Sequence, residues 1–103
     1  MKKLIIDDVT YKIEKEEDQK AFIEKMKEVK SKLKKINLLP TKFSLYRDID
    51  KDKDTFKLYM VFDSDEDFDK WDEKFPQEIR DIFINYFRKY LIKYNYSEEI
   101  DID

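Results

Sequence analysis

Among side chains that make and break bonds, this 103-residue chain has carboxylates, tyrosines, lysines and serines but no histidine, cysteine or glycine. Those absences remove the imidazole that titrates near neutrality, the thiolate nucleophile, the usual transition-metal ligands and the glycine-rich phosphate cradle. Ser31, Ser44, Ser64 and Ser97 lack a histidine base. Paired carboxylates can divide acid and base roles when their surroundings push their pKa values apart. With 25 acidic residues chance pairs are unavoidable, however, and none stands in an evidently apolar setting. Asp48, Asp50, Asp52 and Asp54 alternate like the first ligands of a calcium loop, but Lys53 stands where glycine should permit the turn and Tyr59 where a bidentate glutamate should close the shell. No catalytic, metal or cofactor site is therefore expected. A small ring-stacking pocket built on Tyr46 and Tyr59 is the remaining chemical option.

Charge and apolar surface point instead to recognition. Between Asp63 and Glu73 lie seven carboxylates, and helical spacing sets Glu66, Asp69 and Glu73, with Asp65 beside them, opposite Phe68 and Trp71. Such a stripe can imitate phosphate spacing and occupy the basic groove of a nucleic-acid-handling protein. It is also what a solvated helix start looks like, since acids there are favoured by the helix dipole, and Lys70 and Lys74 interrupt it. Lys20, Lys27, Lys30 and Lys34 share a flank of the first helix without interleaved aromatics, and arginine is scarce. Pairs such as Glu28 with Lys32 make that flank an ordinary solvated face, and direct nucleic-acid binding is disfavoured. Ile84, Phe87 and Leu91 form a second apolar row on the last predicted helix; if exposed, it marks a partner or homodimer interface.

These residues must be positioned by a small set of elements. Leu4 to Ile6 and Val9 to Ile13 read as a strand pair turning at Asp7-Asp8, or as one continuous strand with a bulge. Phe22, Met26, Val29, Leu33 and Ile36 predict a helix from about Lys15 to Asn37, ended by a left-handed cap at Asn37 ahead of Pro40. Phe43 to Ile49 and Thr55 to Phe62 are strands, the second with Phe56, Leu58, Met60 and Phe62 toward the core. Ser64 and Asp67 cap a helix that turns Phe68, Trp71 and Phe75 inward. Pro76 opens a third helix running to about Tyr94, with Ile79, Phe83, Tyr86, Tyr90 and Tyr94 inward. An acidic tail, residues 96 to 103, is expected to fray. The result is an α+β single domain over residues 1 to 103: a small antiparallel sheet (strand pair, helix, strand pair, two helices) with helices packed on one face.

Composition bounds the rest. Charged residues are 46% of the chain, yet the net charge is only −3, distributed as +5 over residues 1 to 47, −6 over 48 to 75 and −2 over 76 to 103. No apolar run approaches the ~20 residues of a membrane span, and the apolar start is too short for a signal peptide, so a cytoplasmic protein is expected. A single alanine among abundant Lys, Ile, Asp, Glu, Phe and Tyr suggests an AT-rich genome or a mobile element.

The run from Phe56 to Trp71, a strand entering a capped helix with a tryptophan, resembles the second half of ferredoxin-like dimeric α/β-barrel domains over about a sixth of the chain. Where that family expects its last strand this sequence reads as a tyrosine-rich helix, and the ligand-binding histidines common in the family have no counterpart. Two expectations follow. The first is a non-enzymatic interaction protein of inhibitor or immunity type, in its most specific form a phage or mobile-element inhibitor of host nucleic-acid-handling defence, acting through Asp65, Glu66, Asp69 and Glu73. The alternative is a ligand-binding or weakly catalytic dimeric ferredoxin-like module.

Overall fold

A computed structural model describes residues 4–49, 53–100 and 102. Asp50 and Asp52 of the acidic loop, and Asp101 and Asp103 of the tail, lie outside the described residues. The elements run β1 (Ile5–Lys12), α1 (Glu16–Lys35), β2 (Lys42–Arg47), β3 (Thr55–Phe62), α2 (Asp65–Lys74), α3 (Gln77–Ile82) and β4 (Leu91–Glu98); a π-helical turn, Phe83–Phe87, and a 3₁₀ turn, Arg88–Tyr90, connect α3 to β4. All strand pairs are antiparallel and the sheet order is β2-β3-β1-β4.

The α+β class and its antiparallel sheet are as expected; of the two readings of the N-terminal segment the continuous strand with a bulge is the one observed, and the C-terminal end differs from the sequence reading. Asp7-Asp8 does not turn. β1 is one strand whose alternate residues Ile5, Asp7, Val9 and Tyr11 face the helices, with a register shift against β4 between Thr10 and Tyr11. At the other end the predicted third helix stops early, and Leu91–Glu98 pairs with the free edge of β1. Tyr94 and Tyr96 alternate with Lys93, Asn95 and Ser97, a period of two that the four-residue Tyr90 to Tyr94 spacing hides. Residues 96–98, expected to fray, therefore belong to the ladder, which Glu99 extends by donating its N–H to the Leu4 carbonyl at 2.8 Å.

The helices follow the sequence signals closely. Asn37 takes the left-handed conformation (φ 58°) just past α1, where the Leu38 N–H reaches back to the Leu33 carbonyl. The Ser64 side chain accepts the Asp67 N–H at 3.1 Å at the start of α2. On α1 the expected Glu28–Lys32 pair gives way to a Lys25–Glu28 pair, which frees Lys32 to bridge to Glu78 of α3.

Phe22, Met26, Val29 and Leu33 of α1 pack on Val9, Tyr11, Phe56 and Leu58 to form the core. Phe22 alone meets Tyr11, Phe56, Phe87 and Tyr90 within 6.1 Å between ring centres. Rings of 150–250 Å² explain how so few elements suffice. Gln19 locks one end of this layer: its amide donates to the Ile13 carbonyl and to Asp54, and its carbonyl oxygen accepts from Arg47.

Candidate functional site: a cavity between sheet and helices

All helices lie on one face of the sheet, but they do not cover it evenly. α1 fills the half over β3 and β1. α2, α3 and the π turn lie over the rest of β3 and β1 and leave all of β4 exposed, and a cavity of about 410 Å³ remains between them and the sheet, with Tyr94 of β4 on its lining. Val9, Tyr11 and Met60 form its floor, Trp71 and Phe75 one wall, and Phe83 and Phe87 another, while Ile84 and Leu91 stand at its rim. This volume falls within the ~300–1,000 Å³ of small-molecule sites, and the largely apolar wall with few polar groups fits their usual chemistry.

The π turn shapes the wall. A π segment carries an extra residue per turn and so rotates the residues after it. Phe87, 1% exposed, turns inward behind Ile79 and Phe83, whereas Tyr86, expected inward, is 40% exposed. Phe87 thus leaves the expected interface row and joins the core. Its former companions Ile84 and Leu91 are 52% and 44% exposed.

Polar groups enter from three sides. Arg80 donates to the Asp72 carbonyl at 2.6 Å, lies 3.4 Å from the Asp72 carboxylate and stacks on Phe75. Arg88, exposed, contributes a second guanidinium to the cavity lining. From β4, Tyr94 donates its phenol hydrogen to Asp7, which is 3% exposed among the inward residues of β1. Burial holds the Asp7 carboxyl above the ordinary carboxylate range despite the lowering effect of the Tyr94 hydrogen bond, and the negative field of Asp72 adds to the rise. The Tyr94 phenol is pushed up in turn by burial and by the Asp7 carboxylate. A single buried acid in an apolar setting is therefore present, because Asp7 stands at an inward position of the continuous strand β1. The missed signal is a lone charge at an inward position of an alternating pattern.

Ile84, Phe87 and Leu91 thus come to the same cavity as Tyr94, whereas the acidic residues singled out from the sequence lie apart from the Asp7–Tyr94 pair. Asp65, Glu66, Asp69 and Glu73 share the exposed side of α2 as the spacing implied. Glu66 pairs with Lys70 at 3.3 Å, and Asp65 accepts a 3.4 Å hydrogen bond from Tyr96. Tyr46 and Tyr59 do meet edge to face at 5.6 Å, but on the opposite side of the sheet. No group of three metal-ligating side chains occurs among the described residues, and no helix among them is long and apolar enough to cross a membrane.

Neither a protein-family model nor a curated protein matches the sequence. Solved structures do match the fold over almost the whole chain. A dabb family protein with a ferredoxin-like fold from Mesorhizobium loti is 13% identical, with all of both chains covered and a TM-score of 0.66. A candidate antibiotic biosynthesis monooxygenase from Nitrosomonas europaea is 16% identical, covering 96% of this chain and 90% of the other with a TM-score of 0.65. A dimeric ferredoxin-like protein from an uncultured marine organism is 11% identical, covering 97% and 89% with a TM-score of 0.59. The fold is thus ferredoxin-like, and its fourth strand is β4, where the sequence spacing reads as helix.

Proposed function

We propose that the protein is a small-molecule-binding module of the ferredoxin-like kind, holding a ring-bearing, largely apolar ligand with an acidic group in the cavity over β1 and β4. The observation that carries this reading is the cavity itself, about 410 Å³ with Trp71, Phe75 and Phe83 in its walls and the Arg88 guanidinium beside them. Apolar rings supply contact area there, and an acidic group on the ligand meets Arg88 while Arg80 stays with Asp72. The candidate monooxygenase among the structural neighbours is in keeping with a small-molecule site in this fold. The inhibitor reading has less behind it, since two members of its acidic stripe, Glu66 and Asp65, are already engaged by Lys70 and Tyr96.

Thermal-shift screening against aromatic and polycyclic carboxylates tests the proposal. A subset should raise the melting temperature in a saturable way, and Leu91→Trp, which narrows the mouth, should abolish the rise. A flat response across the set would count against it.

The Asp7–Tyr94 pair favours a second, weakly catalytic reading. With the phenol hydrogen committed to Asp7, the Tyr94 oxygen can accept a hydrogen from a bound ligand, and the buried carboxyl behind it can take up and return a proton. Turnover lost in Tyr94→Phe with binding retained would identify this activity. A homodimer is the finer part of the same proposal; the half-exposed Ile84 and Leu91 at the mouth are its apolar surface.

A further inference from the structure

Tyr11 is 2% exposed, its ring packed edge-on against Phe22 and beside Phe87, with Phe56 opposite it on β3. A phenylalanine would serve that packing equally well, so packing alone does not explain the hydroxyl. A hydroxyl held among apolar side chains is costly unless it has a partner, and this one makes no hydrogen bond among the described residues. Only Asp8 Oδ1 and Trp71 Nε1 are both sealed and unpartnered among those residues. The Tyr11 hydroxyl is therefore not sealed, and the space it reaches is the cavity whose floor the residue forms with Val9 and Met60. We propose that Tyr11 is a specificity-determining residue of that cavity, its hydroxyl donating to an acceptor oxygen on the ring system of the ligand, an inference that rests on the reading of the cavity as a small-molecule site.

The other donors around the cavity leave this role to Tyr11. Arg80 is engaged by Asp72 and the Tyr94 hydrogen by Asp7. Trp71 Nε1 is sealed and out of a ligand's reach, and the exposed Arg88 is matched to the acidic group. The two phenols then play opposite parts, since Tyr94 offers a ligand its oxygen lone pair whereas Tyr11 offers its hydrogen. Burial, with the negative field of Asp7 added, pushes the Tyr11 phenol above its ordinary range, so it keeps that hydrogen through neutral and mildly alkaline pH. A ring carbonyl or ether oxygen would complete the hydroxyl, while a hydrocarbon edge in the same place would leave it buried and unpaired. A site built around such a donor discriminates against the analogue that lacks the acceptor.

The test is calorimetric titration of the full chain with matched ligands, the positional isomers of fluorenone carboxylate and of fluorene carboxylate, which differ by a carbonyl oxygen in place of two hydrogens. Tyr11→Phe keeps the ring and removes the hydroxyl. For the tightest-binding ketone it should weaken affinity by about three- to tenfold, the size of one neutral hydrogen bond, without weakening the fluorene counterpart. A second readout needs no variant: with carbon-13 at tyrosine Cζ, the Tyr11 resonance should move on addition of that ketone and stay in place with its fluorene counterpart. Equal losses for both members of the pair, no loss for the ketone, or a Tyr11 resonance that does not distinguish them would overturn the role of Tyr11 while leaving the cavity a ligand site. Failure of every ketone and every fluorene to bind would instead remove the small-molecule reading itself, and this inference with it.

Discussion

Two neighbouring aspartates meet opposite fates in β1. Asp7 points into the helix-covered layer, where Tyr94 donates to it and apolar side chains surround it. Asp8 points to the face that no helix covers, between Tyr59 and Asn95, with one oxygen unpartnered. The alternation of a strand decides this outright, since successive side chains leave on opposite sides. The comparison shows how one short segment can serve two surfaces with different chemistry: an enclosed side that is apolar with a protected acid, and an open side that is basic and aromatic.

The largest expected effect lies on the covered face. Phe87→Ala should cost about 3–5 kcal/mol in denaturant unfolding, as for other buried phenylalanines, whereas Ile84→Ala, at the rim, should stay within about 1 kcal/mol. Equal effects would place both in the same environment and contradict the rotation imposed by the π turn.

The aspartates sharpen the contrast. Because the folded-state pKa of Asp7 lies above its ordinary value of 3.8, the native protein holds that proton more tightly than the unfolded chain does. The Asp7 contribution is therefore fully favourable below pH 3.8 and is lost as pH rises through the raised folded value. Asp7→Asn should raise stability at neutral pH by about 1 kcal/mol, the size of a single buried polar term, and the gain should shrink as pH falls toward 4. Thermal melts across that range check both sign and window. Asp8→Asn, on the open side, should change stability by no more than about 0.5 kcal/mol.

Ser64→Ala removes the acceptor for the Asp67 N–H and should cost about 1 kcal/mol by the same measurement, weakening α2 beneath the cavity wall without touching the open face. Smallest of all, Lys57→Ala should leave stability within about 0.5 kcal/mol, since its side chain lies on an uncovered surface.

Much of this architecture was legible because strong local signals agreed with the tertiary result. The spacing from Phe22 to Leu33, the alternation from Phe56 to Phe62, the Asn37 cap and the Ser64 cap all carry over into the fold. Where local patterns are ambiguous, long-range pairing decides. Asp7-Asp8 has turn-forming residues, yet pairing with β3 on one side and β4 on the other keeps the backbone extended. Tyr90 and Tyr94 satisfy helical spacing, but the open edge of β1 draws Leu91–Glu98 into the sheet. The cavity is illegible in sequence for the same reason: its floor comes from β1 and β3, its walls from α2 and the π turn, and its rim from Ile84 and from Leu91 at the start of β4. A helix through Leu91–Glu98 has no place for Tyr94 beside Asp7, whereas pairing of β4 with β1 sets it there.

The central claim is that the covered face holds a ligand. Chemical-shift mapping of the isotopically labelled chain with 1-naphthoate tests it most directly. The account predicts saturable shifts at one ligand per chain, concentrated on Val9, Phe83, Ile84, Leu91 and Tyr94, with the open-face residues Thr10 and Lys57 unmoved. Shifts that fail to saturate, or that gather on the open face instead, would contradict it.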